Sequence, residues 1–150
     1  MSGVIKFTVL GEPTGKGRPR FVRRYNPATG KSFGQAHTPE KTVVYENLVR
    51  TEYSLQTKNY RFPDDAILDM RIMAYYSIPK SASKKKKIMM VEGLLRPAKK
   101  PDIDNVIKAV ADSLNQVAYK DDTQIVDCQC RKFYSEEPRI EVIIRQIGGI

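Results

Sequence analysis

The stretch from Pro101 to Gln116 leaves the chain the least freedom. Ile103, Val106, Ile107, Val110 and Leu114 fall on one stripe of a helix. Asp104, Lys108 and Asn115 lie together on a different face, since residues four apart are neighbours, and the helix should end near Asn115-Gln116. The flanking segments read differently. Residues 66–78 alternate, are rich in strand formers and are closed by Pro79; Thr123–Tyr134 is strand-like. A turn at Ser135–Pro138 leads to a last alternating strand, Ile140–Ile147, and Val4–Leu10 gives another strand near the start. The expected fold class is α+β: a single small domain over residues 1–150, with a mixed β-sheet packed against helices.

A chain of 150 residues is long enough for one core of its own. Thr38-Pro39 reads as an N-cap followed by Pro at the first helical position. The spacing of Val44, Leu48 and Leu55, with Tyr45 and Glu52 beside them, then predicts a helix over 39–56. Ser81-Ala82-Ser83 is placed to cap a short helix through Lys84–Val91, whose four leading lysines form either a solvated face or a phosphate contact. Residues 11–38 are rich in Gly, Pro, Arg and Lys with little periodicity, and read as a basic loop or hairpin arm that a partner could order.

Charge points to a polyanion. Lys and Arg number 26 against 17 Asp and Glu, a net charge of +9, and neutralising phosphates releases condensed counterions. No apolar run is long enough for a membrane span. The N-terminus alternates where a signal peptide would carry an apolar core, so the expected compartment is the cytoplasm. Gly11–Gly17 imitates a P-loop but has one residue too few between its first two glycines and Gly17 where the metal-binding Ser or Thr belongs, which excludes nucleotide hydrolysis there. What remains is Lys16, Arg18, Arg20, Arg23 and Arg24 interleaved with Phe21 and Tyr25, a set suited to phosphate oxygens, or else a solvated basic loop. Cys128 and Cys130 share one strand face and read as packing residues, and His37 has no partner for a nucleophile relay.

The acidic residues run against this charge trend. Asp102 and Asp104 bracket the start of the helix, and Asp121 and Asp122 follow it. One helix cap needs one carboxylate, whereas grouped carboxylates suit Mg²⁺, which keeps several waters and shares phosphate ligands. Lys108 stands one turn after Asp104, either as an ordinary ion pair or as a charge offered to a phosphate. Asp112 and Asp127 read as a polar-face residue and a strand-edge residue outside this set.

The ordered series Lys100-Pro101-Asp102-Ile103-Asp104-Asn105-Val106-Ile107-Lys108, Asp112-Ser113-Leu114-Asn115 and Asp121-Asp122-Thr123-Gln124-Ile125-Val126 resembles the RusA family of Holliday-junction resolvases over about residues 99–134. Gly15–Arg20 and Thr38-Pro39 also look like the N-terminal half of some members. The resemblance implies a small homodimeric crossover junction endodeoxyribonuclease that cuts four-way DNA junctions by Mg²⁺-dependent hydrolysis, with Mn²⁺ as a substitute. It would be encoded by a phage or prophage and work in the bacterial cytoplasm, without membrane or nucleotide cofactor. It also implies catalytic Asp102, Asp104, Lys108 and Asp122, with the three aspartates as metal ligands and Asp121 as the alternative third. Asn105 matches the motif asparagine. Lys132 matches a late strand lysine and joins Lys16, Arg18 and Arg20 as a DNA-binding candidate. The competing readings are a non-catalytic, structure-selective nucleic-acid-binding protein and a metal nuclease for flaps or RNA.

Overall fold

The computed structural model describes residues 3–17, 20–37 and 39–149. Four strands form a mixed sheet in the order β1, β6, β4, β5, where β1 is Val4–Leu10, β4 Ile67–Ser77, β5 Ile125–Ser135 and β6 Arg139–Gly148. β6 pairs antiparallel with both β1 and β4, while β4 and β5 run parallel. The alternation in the sequence becomes one buried face: Ile5, Phe7 and Val9 of β1, Ile140, Val142 and Ile144 of β6, and Leu68, Met70, Ile72, Ala74 and Tyr76 of β4. Helices α1 (Glu40–Thr57) and α3 (Ile103–Ser113) cover that face, and α2 (Lys84–Val91) packs near β5. The architecture is the expected single small α+β domain, with a mixed sheet against helices.

Several boundaries and faces differ from the sequence reading. Helix α1 covers the expected span, but it buries Thr42, Tyr45, Val49 and Tyr53 and leaves Val44, Leu48 and Leu55 exposed. The two candidate stripes lie on neighbouring faces, and Tyr45 and Tyr53 bury more surface than the aliphatic set. Tyr53 fixes the choice, stacking edge-on against Phe7 at 5.3 Å and donating to the Tyr60 carbonyl at 2.6 Å. Pro39 is itself the N-cap residue of α1, and Thr38 falls outside the described residues. In α3 the buried stripe is Val106, Ala109, Val110 and Leu114; Ile103, in the first turn, projects beyond the sheet and is exposed. Thr123 and Gln124, expected as the start of a strand, belong to a single 3-10 turn, Asp122–Gln124, before β5 begins.

Within 11–38, strands β2 (Arg20–Asn26) and β3 (Lys31–His37) make an antiparallel hairpin that forms a separate two-stranded sheet. Ser83 caps α2 by accepting from the Lys86 N–H at 3.2 Å, and Lys84–Lys87 are all exposed. No helix among the described residues is long and apolar enough to cross a membrane.

Leu114 is fully buried at the end of α3, so Leu114→Ala should cost about 2–5 kcal/mol. The exposed Ile103 belongs to the same sequence stripe, yet Ile103→Ala should change stability by less than about 0.5 kcal/mol. Urea unfolding midpoints at constant m-value check both.

Candidate active site

The approach to α3 is pinned to the far ends of β4 and β5. Tyr76 donates its hydroxyl to the Pro101 carbonyl at 2.5 Å, following the cis Lys100-Pro101 bond. The Lys132 ammonium donates to the Lys99 carbonyl at 2.5 Å and sits 5.1 Å from the Tyr76 ring centre. Arg96 donates to the Lys132 carbonyl at 2.9 Å, and its guanidinium covers the Phe133 ring at 4.3 Å. Three side chains thus fix the segment that delivers Asp102.

Asp102 occupies the N-cap position with extended backbone, yet its carboxylate caps no helical N–H. It accepts instead from the Asn105 side-chain amide at 2.9 Å. Its own backbone N–H holds the carboxyl below the usual aspartate range. Burial opposes this, while Asn105, the Asp104 side chain and the Lys100 charge add to it. The capping reading of Asp102 therefore fails on geometry, and the group is an exposed anion.

Asp104, Lys108 and Asp112 occupy successive turns of α3 and line one groove of about 390 Å³ together with Asp122. Lys108 is exposed and makes no ion pair within 4.0 Å among the described residues, so the ordinary Asp104–Lys108 pair is not formed. Asp122 is held by its N–H, which donates to the Asn115 side chain at 2.8 Å. Burial and the adjacent Asp112 carboxylate push the Asp122 carboxyl up. Asp121 has a different task. It caps the 3-10 turn by accepting from the Thr123 N–H at 3.2 Å, and Gln124 completes a capping box. Of the two adjacent aspartates, Asp122 faces the groove.

The acids form two neighbouring pairs, Asp102 with Asp104 and Asp112 with Asp122. Asp104 and Asp112 lie eight residues apart on α3, about 12 Å along the helix axis. Among the described residues no three acidic, His or Cys side chains converge on one point. Each pair offers only oxygen donors, which suits a hard cation held through one or two carboxylates and water.

A basic loop closes over the other side of α3. A Cβ on Gly15 would lie 2.8 Å from the Pro101 side chain and 3.0 Å from that of Asn105, so only glycine allows this approach. The Lys16 N–H donates to the Asn105 carbonyl at 3.2 Å. The Lys16 ammonium bridges Asp112 at 3.0 Å and Glu46 at 3.3 Å. Burial alone would lower the Lys16 pKa, but these two partners raise it. Of the four DNA-binding candidates, Lys16 and Lys132 thus have their ammonium groups engaged within the protein; Arg18 lies outside the described residues, and Arg20 opens β2. Asp112 and Glu46 are the site residues that sequence reasoning left out. For Asp112 the signal was present, since it continues the Asp104–Lys108 face by another four residues.

A family model described as endodeoxyribonuclease RusA matches residues 11–145. The chain is also 44% identical over 156 aligned residues to the Bacillus subtilis (strain 168) protein described as "Uncharacterized protein YqaN", covering 97% of this chain and 98% of that one.

Gln124 ties the aspartate pair to the rest of the domain. Its oxygen accepts from the N–H groups of Lys120 and Asp121 at 3.0 and 3.2 Å, and its amide donates to the carbonyls of Pro63 and Ala66 at 3.1 Å each. With about 1 kcal/mol net for each bond, Gln124→Ala should cost about 2–4 kcal/mol. Gln124→Glu keeps the acceptor and loses the donors, so its thermal midpoint should fall between those of Gln124→Ala and the natural protein.

Proposed function

The chain belongs to the RusA endodeoxyribonuclease family, and from that premise we propose that it is a divalent-metal-dependent endonuclease that resolves four-way DNA junctions by paired phosphodiester hydrolysis. The observation that carries this reading is Asp102: a helix-start carboxylate that caps no helix, is held ionised, and neighbours Asp104, whose own face of α3 leads to Lys108. A structural role would have used the carboxylate or paired the lysine.

Asp102, Asp104 and Asp122 are the proposed metal ligands, with Mg²⁺ the expected ion and Mn²⁺ a substitute. When bound, the ion lowers the pKa of water and offsets charge on phosphoryl oxygens. The protein's own groups do the rest. Asn105 orients Asp102, and Asn115 orients Asp122 through its backbone. Lys108 offers an unpaired ammonium to the charge that builds on the scissile phosphate. Lys16 neutralises Asp112, leaving one fewer anion to repel the substrate. In-line attack would leave 5′-phosphate and 3′-hydroxyl ends.

A homodimer fits both substrate and site. A four-way junction presents two symmetry-related strands, which a two-fold protein can address together. The spacing along α3 also keeps Asp122 away from Asp102 and Asp104 within one chain. We place the completed ligand set at the two-fold interface, where Asp122 of the partner subunit joins Asp102 and Asp104. The working compartment in this reading is the bacterial cytoplasm, with the protein encoded by a phage or prophage.

Cleavage of a synthetic four-way junction, resolved strand by strand beside a linear duplex, is the direct assay. Cutting should require Mg²⁺ and stop with chelator. Asp104→Asn should abolish cutting while junction affinity is retained, and wild-type cleavage by that variant would remove the site assignment. Lys108→Ala should lose on the order of 10²–10³-fold in rate, with a thermal midpoint close to that of the natural protein because the side chain is exposed and unpaired.

Subunit mixing tests the shared site. Asp104→Asn and Asp122→Asn proteins, each inactive alone, should regain single-strand nicking when refolded together, since one of the two sites in a mixed dimer is intact. Sites built within one chain would leave every mixture inactive.

A further inference from the structure

The feet of the β2–β3 hairpin, Gly17 and Pro39, line a groove distinct from the one that holds Asp104, Lys108 and Asp122. Just before β2, the Gly17 N–H donates to the Thr42 hydroxyl at 2.9 Å. A Cβ on Gly17 would lie 2.8 Å from that oxygen and 2.9 Å from the ring of Pro39, the residue that opens α1 just beyond β3. Both feet of the hairpin are therefore clasped together. The clasp walls a groove of about 890 Å³ that also holds Lys100, Asp102 and Asn105. At the tip, Asn26 orders the turn, its side chain accepting from the Ala28 N–H at 3.0 Å and its carbonyl from Gly30 at 2.9 Å.

The pairing register sorts the hairpin's side chains. Phe21, Arg23 and Tyr25 share one face, opposite Ala36, Gly34 and Ser32. These facing residues are small, and the Phe21 ring lies over Gly34, where a Cβ would meet it at 3.3 Å. Phe21 is 82% exposed and Tyr25 67%. Arg24 and Phe33 are partners on the opposite face, and Phe33 is 50% exposed. Arg23, Arg24 and Lys31 are exposed as well. A two-stranded sheet is at best marginal in water, and uncovered aromatic rings add nothing to it.

An apolar protein partner would have to bury Arg23 between the rings. Nucleic acid matches both components, since bases offer faces to the rings and phosphates accept the guanidinium. Bases inside a linear duplex have no free face, whereas a branch point interrupts the stack. We infer that the hairpin is a base-stacking element, in which Phe21 and Tyr25 cover unstacked bases at the branch point of the DNA while Arg23 meets the backbone beside them. This rests on the junction-nuclease reading and adds to it a contact with bases, made by a face that carries none of the metal-site residues.

The chain has no tryptophan, so Tyr25→Trp supplies a single indole reporter in the full-length protein. In chelator, saturating four-way junction should quench its emission at least about twofold more than a linear duplex of the same sequence, as base–aromatic stacking requires. The double variant Phe21→Leu/Tyr25→Leu keeps apolar bulk and removes both rings. It should bind the junction at least about tenfold more weakly, with unchanged affinity for duplex and an unchanged thermal midpoint. Arg23→Gln should instead lower the salt dependence of binding by about one unit on either DNA.

Bound junction with no quenching, or equal quenching by duplex, overturns the inference while cleavage by the natural protein leaves the nuclease reading standing. Emission that changes with protein concentration in the absence of DNA also overturns it, because a second copy of the chain then covers the face. If the natural protein neither prefers nor cuts junctions, the nuclease reading fails. Quenching by single-stranded oligonucleotide then sustains stacking by this hairpin, and its absence overturns that too.

Discussion

The parallel pairing of β4 with β5 is the constraint on which the site depends. Antiparallel neighbours can be joined by a tight turn, but parallel neighbours need a crossover that returns the chain to the same end of the sheet. Here the crossover carries α2, the segment pinned by Tyr76, Lys132 and Arg96, and then α3. Because α3 returns alongside β5, its first turn lies where the two strands end, and its last turn lies where β5 begins. Asp102 and Asp104 are delivered to one end, and Asp112 meets Asp122 at the other. Shortening or straightening the crossover would lose both carboxylate pairs together with the strand pairing.

Neutral amides hold the anions in place. Asn105 supports Asp102, Asn115 supports the backbone of Asp122, and Gln124 supports the turn that contains both Asp121 and Asp122. A lysine or arginine at 105 could donate to Asp102 as well but would cancel its charge, and at 115 or 124 it would have no oxygen to accept the backbone N–H groups. Where cancellation is tolerated the chain does use a cation: Lys16 bridges Asp112 and Glu46. Asp122 is left with a raised carboxyl pKa, from burial first and then from the like-charged Asp112 beside it.

Much of this was legible in the sequence, for reasons that differ by element. Strands β1, β4 and β6 could be read because each buries one face of the sheet and so alternates along most of its length, β4 departing from this only at the buried Asp69. The buried side of α1 could not, because two stripes compete on it and the winner depends on Phe7, a residue far away in sequence. The acids Asp102, Asp104 and Asp122 stood out by opposing the net charge. Asp112 opposed it too and continued the Asp104–Lys108 face, but its links to Lys16 and Asp122 come only with the fold. Lys132 was read only through the resemblance, as its late strand lysine, and what the sequence did not show is that its ammonium donates to the Lys99 carbonyl, where it holds the approach to α3.

The cations of this chain therefore divide by environment. Lys16 and Lys132 are turned inward, one onto carboxylates and the other onto a carbonyl and a ring, and they shape the site. Arg23, Arg24 and Lys31 lie on a hairpin that contributes nothing to the main sheet, and Lys84–Lys87 form the exposed first turn of α2. Net charge alone treats these groups alike. Long-range attraction of a polyanion draws on all of them, because it depends on the summed field. Short-range recognition favours the exposed cations not already engaged within the protein, which are Lys108 in the groove, Arg23, Arg24 and Lys31 on the hairpin, and Lys84–Lys87 on α2.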